Sequence, residues 1–349
     1  MYKRLRKFIF MIGPETAHTI IVRMLKLSRF IPFSKCVIRF LFSYHDKDLE
    51  REVFGIKFKN PVGFAAGFDK KGEITNELAC FGFGFIEVGS VTPLPQPGNQ
   101  GPRIFRLPLD MAMINHMGMN NPGAKILADN LSRHSQKRRL LVGGNISKNT
   151  NTINDLSPAD YEQCFALIYE QVDYFAVNVS CPNVTNLTQL QDREILEQII
   201  DRLINVRHSH DKYKPILLKL SPDLSYGQID DIIDLIQAKG IDGIIAVNTT
   251  VTREGLKTTN EKVEAMGQGG LSGAPLTQLA LDKVRYIHEK TEGKLSIIGV
   301  GGIMTPDDAV NMLKAGASLI QIYTGFIYNG PGFVKQILKQ LKKQRITEN

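Results

Sequence analysis

Tyr174-Phe175-Ala176-Val177-Asn178-Val179-Ser180-Cys181-Pro182-Asn183 reads as a short buried strand that ends in chemistry. The apolar run at 174–177 is too short for a helix and is bounded by a proline that breaks it. Two carboxamides, Asn178 and Asn183, flank a thiol, Cys181. Carboxamides both donate and accept hydrogen bonds, so they suit a flat, polar, ring-shaped ligand. A cysteine exposed in a loop at a strand end could take up a proton. The plainer reading of the same residues is a polar turn beside a buried cysteine.

The unit recurs along the chain. From residue 61 onward, strand candidates at 62–66, 84–88, 139–144, 173–178, 214–219, 242–246, 296–299 and 318–321 alternate with amphipathic segments. Those segments lie near 73–81, 122–134, 158–170, 189–207, 226–238, 276–290, 306–315 and 331–345. Eight strand-then-helix units point to a (β/α)8 TIM barrel, with a doubly wound open sheet as the alternative. The barrel is preferred because polar clusters follow nearly every strand end, where a barrel builds its site. The longer connections, 89–121 and 247–275, read as lids or site loops.

Charge is distributed unevenly. Residues 1–45 hold nine Lys/Arg against one acid, Glu15, which accounts for the whole formal net charge of +8. The same arm is apolar: Phe8-Ile9-Phe10-Met11-Ile12 and Phe30-Ile31-Pro32-Phe33 are runs, and Ala17, Ile20, Ile21, Met24 and Leu25 make one face of a helix. A basic, amphipathic segment suits an anionic lipid surface. The competing readings are a helix packed on the barrel and a nucleic-acid anchor. Phe and Ile runs do not help phosphate contacts, so no nucleic-acid partner is expected. The run at 8–12 is too short to span a bilayer, and Gly13-Pro14-Glu15 is a poor signal-peptide cleavage site. Residues 1–45 are therefore read as an N-terminal arm and 46–349 as the barrel, with Pro32 and the polar stretch 43–51 at the junction. The four cysteines, Cys36, Cys80, Cys164 and Cys181, form no C-x-x-C pair, and no metal-ligand spacing is present.

Other strand ends carry chemistry too. Gly299-Val300-Gly301-Gly302-Ile303 precedes Thr305-Pro306-Asp307, where a helix opens. Glycine amides and a helix N-terminus suit a phosphate, and tight turns are the alternative. Gln321-Ile322-Tyr323-Thr324-Gly325 adds amides and a hydroxyl. Lys219 lies deep in the apolar run Leu217-Leu218-Lys219-Leu220, so it is expected to face an anion. Lys70 in Gly67-Phe68-Asp69-Lys70 could do the same or be a solvated loop lysine. Asn115-His116-Met117-Gly118-Met119-Asn120, Asn145 and Val247-Asn248-Thr249 complete a ring of carboxamides. His116 alone reads as a loop residue.

These motifs, with Ser90-Val91-Thr92-Pro93, Pro102-Arg103-Ile104-Phe105-Arg106 and Gly270-Leu271-Ser272-Gly273, stand in an order that resembles dihydroorotate dehydrogenase from about residue 52 to the C-terminal helix. The arm, with Pro14-Glu15-Thr16-Ala17-His18, resembles that of the membrane-associated, quinone-using class 2. The resemblance implies an FMN-containing barrel that oxidises dihydroorotate to orotate in pyrimidine synthesis, peripheral on the cytoplasmic side of the cell membrane. It implies flavin contacts at Ala66, Gly67, Phe68, Asp69, Lys70, Ser90, Asn145, Asn178, Lys219, Val247, Gly273, Gly302, Tyr323 and Thr324. Val247 stands where some relatives have Thr, so its contact would be through backbone or absent. Substrate would meet Lys70, Asn115, His116, Met117, Gly118, Met119, Asn178, Asn183, Asn248 and Thr249. Membrane quinone would meet His18 and Arg103. Class 2 enzymes typically use serine as catalytic base and class 1 enzymes cysteine. Here Cys181 takes the base position, because Ser180 and Cys181 would point to opposite faces of a strand. Two alternatives remain: a class 1-like enzyme using fumarate or NAD, and another FMN barrel acting on a pyrimidine.

Overall fold

The computed structural model describes residues 2–134, 140–180 and 193–344. Its strands are β1 (Arg51–Val53), β2 (Ile56–Phe58), β3 (Val62–Phe64), β4 (Phe85–Val91), β5 (Ile104–Leu107), β6 (Ala112–Asn115), β7 (Leu141–Ile146), β8 (Tyr174–Asn178), β9 (Ile216–Leu220), β10 (Gly243–Ala246), β11 (Gly270–Gly273), β12 (Ser296–Val300) and β13 (Leu319–Ile322). Eight of them close into a parallel barrel in the order β10-β12-β13-β3-β4-β7-β8-β9. All eight expected strands are in it. β8, β9 and β10 are buried along their whole length, as strands between a barrel interior and a helical layer must be.

Alternate strand residues fill the interior. Phe85, Tyr174, Ala176, Leu217, Ile245, Ile298 and Leu319 form one cluster there. The β1–β2 hairpin closes the end away from the site, with Val53 and Phe58 packing into that cluster. Gly143 leaves room for Tyr174, since a Cβ there would lie 2.3 Å from its ring. The helices form the outer layer: α1 (Tyr2–Met11), α2 (Pro14–Leu27) and α3 (Ser34–Phe42) in the arm, then α4 (Thr75–Leu78), α5 (Ala124–His134), α6 (Ser157–Ile168), α7 (Arg193–His208), α8 (Tyr226–Lys239), α9 (Asn260–Ala265), α10 (Thr277–Lys290), α11 (Pro306–Lys314), α12 (Thr324–Asn329) and α13 (Phe333–Lys343).

Two departures from the sequence reading concern the long connections. Segments 89–121 and 247–275 are not plain loops. They supply β5, β6 and β11, which pair antiparallel in the order β11-β6-β5 beside the barrel mouth. Four-residue strands, one of them Gly-Leu-Ser-Gly, carry too little periodicity to be seen in sequence.

The arm departs as well. Its presumed single apolar face is divided. Ala17 is buried and Ile21, Val22 and Leu25 pack on the barrel core, whereas Ile20 and Met24 are exposed. Much of the basic charge is also turned inward. Lys26 pairs with Glu73 at 2.7 Å, and Arg29 and Lys35 both pair with Glu77 at 2.8 Å. Arg6 donates to the Tyr328 carbonyl at 2.7 Å. Lys3, Arg4, Lys7 and Arg23 stay exposed, along with Phe8, Met11, Phe30, Ile31, Phe33 and Phe40. Among the described residues, no helix is long and apolar enough to cross a membrane.

Glu77 is 2% exposed. Burial alone would raise its pKa, but hydrogen bonds from Arg29 and Lys35 hold it below the ordinary 4.5. Such a group stabilises the docked arm in full above pH 4.5 and loses that contribution as pH falls through its lower folded value. Glu77→Gln removes the carboxylate both cations share. The arm of that variant is expected to be cut by trypsin about tenfold faster than wild type at pH 7, a loss of about 1.4 kcal/mol in docking. Equal cleavage rates would show that apolar packing alone holds the arm.

Candidate active site

The C-terminal ends of the barrel strands open into one cavity of about 910 Å³ that continues between the arm helices. Its floor is polar. Asn178 ends β8, Lys219 lies in β9, Val247-Asn248-Thr249 follow β10, and Gly301-Gly302 follow β12. Its outer part has an apolar wall of Ile9, Phe10, Ala17, Ile21 and Val22 beside the polar or charged Glu15, His18, Arg23, Lys26 and Arg103.

Lys219 is 6% exposed, and its amino group has no hydrogen bond or ion pair among the described residues. Burying such a group without an acceptor is costly, so the site is built for something with anionic or acceptor character. Lys70 donates to Asn120 Oδ1 on the opposite wall. Ser272 Oγ and Thr324 Oγ1 lie 2.8 Å apart across β11 and the start of α12. Gly302, at φ +69°, is forced by packing, since a Cβ would sit 2.1 Å from Thr277 Cα. Its backbone nevertheless lines the cavity with Gly301, Thr324 and Gly325.

At the arm side, His18 Nε2 donates to the Phe68 carbonyl at 2.8 Å, which leaves Nδ1 as an acceptor. Burial lowers the His18 pKa and outweighs that carbonyl's opposing pull, favouring the neutral imidazole. Arg103 makes a two-pronged pair with Glu15, at 3.1 and 2.6 Å, and also donates to the Pro97 and Asn99 carbonyls. Arg103 thereby holds the Glu15 carboxyl below its usual range. This pair ties α2 to the segment before β5.

A family model described as dihydroorotate dehydrogenase matches residues 48–344. The chain belongs to the dihydroorotate dehydrogenase family. A relative from Christiangramia forsetii, named dihydroorotate dehydrogenase (quinone), is 47% identical over 98% of each chain. Another of that name, from Thermosynechococcus vestitus, is 48% identical over 86% of this chain and 82% of its own. The crystal structure of DHODH from Eimeria tenella in complex with ferulenol superposes with a TM-score of 0.86 at 32% identity, covering 96% of this chain and 93% of that one.

Most site residues expected of the family do line the cavity: Ala66, Gly67, Phe68, Asp69, Lys70, Ser90, Asn178, Lys219, Val247, Gly273, Gly302, Tyr323 and Thr324, with Asn115, Met117, Met119, Asn248 and Thr249, and with His18 and Arg103 at the arm. Asp69 is there in a different capacity. Its carboxylate accepts from the Glu73 and Ile74 amides, both at 2.9 Å, and burial pushes its pKa up to about 6.

Three residues expected to make contacts do not line the cavity. Asn145 is fully buried below the wall and reaches it through Ser90, whose hydroxyl donates to it. His116 points away, its Nε2 donating to the Pro102 carbonyl at 3.0 Å. Gly118 is packed behind the wall, where a Cβ would meet Asn99 at 2.4 Å. Cys181 and Asn183 lie outside the described residues. The N-terminus of α11 is already occupied by its own cap. Thr305 and Asp308 cap it reciprocally, and Asp308 accepts from the Met304 and Thr305 amides at 2.9 and 2.8 Å. Among the described residues no group of His, Cys, Asp and Glu forms a metal site. Sequence reasoning missed Glu15, Asn120 and Ser272. Each lay in or beside a quoted motif, and only tertiary pairing reveals its partner.

Lys219→Met should raise the melting temperature of the ligand-free protein by roughly 2 °C for each kcal/mol of relieved burial cost. A fall in melting temperature would show that Lys219 is already satisfied.

Proposed function

We propose that this chain oxidises dihydroorotate to orotate and passes the electrons to a membrane quinone, using FMN at the barrel mouth. The observation that carries this reading is the single cavity joining a polar barrel floor, with Lys219 at its base, to a cleft in the arm with an apolar wall. The residues fit FMN. Lys219 suits the electron-rich edge of the flavin ring, Ser90 and Asn178 suit its polar rim, and the backbone at Gly301-Gly302 and Thr324-Gly325 suits its phosphate. Bound there, FMN would supply the chemistry that accepts a hydride from one substrate and releases electrons to another.

The chain's own residues do the rest. Lys70, braced by Asn120, holds the substrate carboxylate. Asn115, Asn178, Asn248 and Thr249 hold the ring amides so that one face is presented for reaction. Cys181, which follows β8 in the sequence, removes the proton from C5, while the hydride leaves from C6. A thiol ordinarily titrates near 8.5, so activity rises with pH toward that value. In the arm, neutral His18 and Arg103 meet the quinone head group, and the apolar wall takes its ring. The exposed Lys3, Arg4, Lys7 and Arg23, with Phe8, Phe30, Phe33 and Phe40, settle the arm on an anionic cytoplasmic membrane surface.

Cys181 also favours a second reading, in which the electrons go to fumarate or NAD. The two separate in one experiment. Purified protein is mixed anaerobically with dihydroorotate while the flavin band is followed, and then a soluble quinone analogue, fumarate or NAD is added. Bleaching with recovery by quinone alone is expected. Recovery by fumarate or NAD would move the acceptor, and no bleaching of a yellow protein would move the substrate. Cys181→Ala should slow bleaching by about 10²–10⁴-fold with FMN retained, and a near-normal rate would remove Cys181 from the mechanism. Deleting residues 1–40 should abolish quinone reduction far more than bleaching.

A further inference from the structure

Beneath the site, β4 carries Glu87, whose side chain is fully buried inside the barrel. It makes no ion pair among the described residues, and three neutral groups donate to it. Asn145 Nδ2 reaches Oε2 at 3.1 Å, Tyr174 O–H reaches Oε1 at 3.3 Å, and Gln321 Nε2 also donates to Oε1. From there a hydrogen-bonded line runs up to the cavity. Asn145 Oδ1 accepts from Ser90 Oγ, and Ser90 Oγ accepts from Asn178 Nδ2 at 3.0 Å. Asn178 Oδ1 accepts from Asn248 Nδ2 at 3.3 Å and from the Ser180 amide and hydroxyl, both at 3.3 Å. Asn248 Nδ2 also donates to Ser180 Oγ at 3.1 Å.

We infer that Glu87 is a positioning residue that fixes the sense of Asn145 and Ser90, and so keeps Ser90 Oγ an acceptor for the Asn178 amide at the ligand wall. A carboxamide can be turned end for end with almost no change of shape. Backbone amides of Ser180 and Thr249 hold the oxygens of Asn178 and Asn248, so the reversible part of the line, with two nearly equivalent senses, is Asn145 with the rotatable hydroxyl of Ser90. A carboxylate has no hydrogen to give and breaks that equivalence. Asn145 must turn its NH2 down to Glu87 and its oxygen up. The single hydroxyl hydrogen of Ser90 is then committed to Asn145, so Asn178 must donate to Ser90. The oxygen of Asn178 is left to face Asn248.

Little hydrogen-bonding capacity then remains at the wall. Asn178 has its oxygen occupied and one N–H free for a ligand. Asn248 has used both N–H groups, and its oxygen, which accepts from the Thr249 amide at 2.8 Å, keeps one lone pair. The wall therefore offers a donor beside an acceptor, which matches the alternating C=O and N–H edge of a cyclic imide. This deepens the functional reading above and rests on it.

The test moves the carboxylate one link along the line. In Glu87→Gln the shape is kept but Asn145 and Ser90 can take either sense, so Ser90 is no longer held as the acceptor for Asn178. In Glu87→Gln/Asn145→Asp the amide introduced on β4 donates to the carboxylate introduced on β7. That carboxylate can only accept from Ser90, so the original sense returns. Orotate is titrated into each FMN-loaded protein by calorimetry, with FMN content and melting temperature recorded in parallel. The single variant is expected to bind orotate about tenfold more weakly, with FMN content retained. The double variant should return to within about threefold of wild type. Wild-type affinity in Glu87→Gln would overturn the inference, as would a double variant weaker than the single. If Glu87→Gln does not fold, Ser90→Ala cuts the same line at its middle, and unchanged orotate binding there would overturn it. A wild-type protein that holds FMN but ignores orotate would overturn the functional reading, and with it the role assigned to the wall.

Discussion

Closure of the parallel barrel sends every second residue of eight strands into a space that has neither water nor an edge. Whatever enters that space must be apolar, satisfied by a neighbour, or open to the cavity. The closed end obeys the first rule, with Phe85, Leu217, Ile245 and Leu319 packed against the hairpin residues Val53 and Phe58. The next level obeys the second, where Glu87 is satisfied by Asn145, Gln321 and Tyr174. The open end obeys the third, where Lys219 and Asn178 come to the cavity wall. Stability and chemistry are thus separated along one axis of one fold, and the network at Glu87 is where they meet.

The arm answers a different constraint. A basic, apolar segment has to sit against the barrel with its charges and its apolar area both accommodated. Lys26, Arg29 and Lys35 turn their charge to Glu73 and Glu77, and Ala17, Ile21 and Leu25 place their apolar area on the core. That docking completes the cavity, because His18 and Arg103 line it from the arm and from the segment before β5. What is left outside is both basic and greasy, the combination an anionic bilayer surface attracts. The dehydrogenase family provides the setting in which a cleft of this kind has a use.

The order of strands and helices was legible in the sequence because each barrel strand is an apolar run with a polar end, and each helix carries a periodic stripe. All eight strand candidates overlap observed barrel strands. The site motifs were legible for the same reason: a polar residue at the end of a buried strand has to be there for something other than packing. Lys219 was the clearest case. What could not be read was the sense in which those residues face one another. His116 and Gly118 share a motif with Asn115 and Met119, yet the first two pack against Pro102 and Asn99 and do not line the cavity. Asn145 looked like a wall residue and proved to lie one layer below.

The sequence by itself determined the fold class, the family and most of the cavity wall, because these follow from local periodicity and residue type at strand ends. Tertiary structure alone decided three things: which arm charges are neutralised, that β5, β6 and β11 make one sheet, and that Glu87 on β4 meets Asn145 on β7. Each depends on groups tens of residues apart meeting within hydrogen-bonding distance. Nothing in a strand's own residues specifies which neighbour it will face.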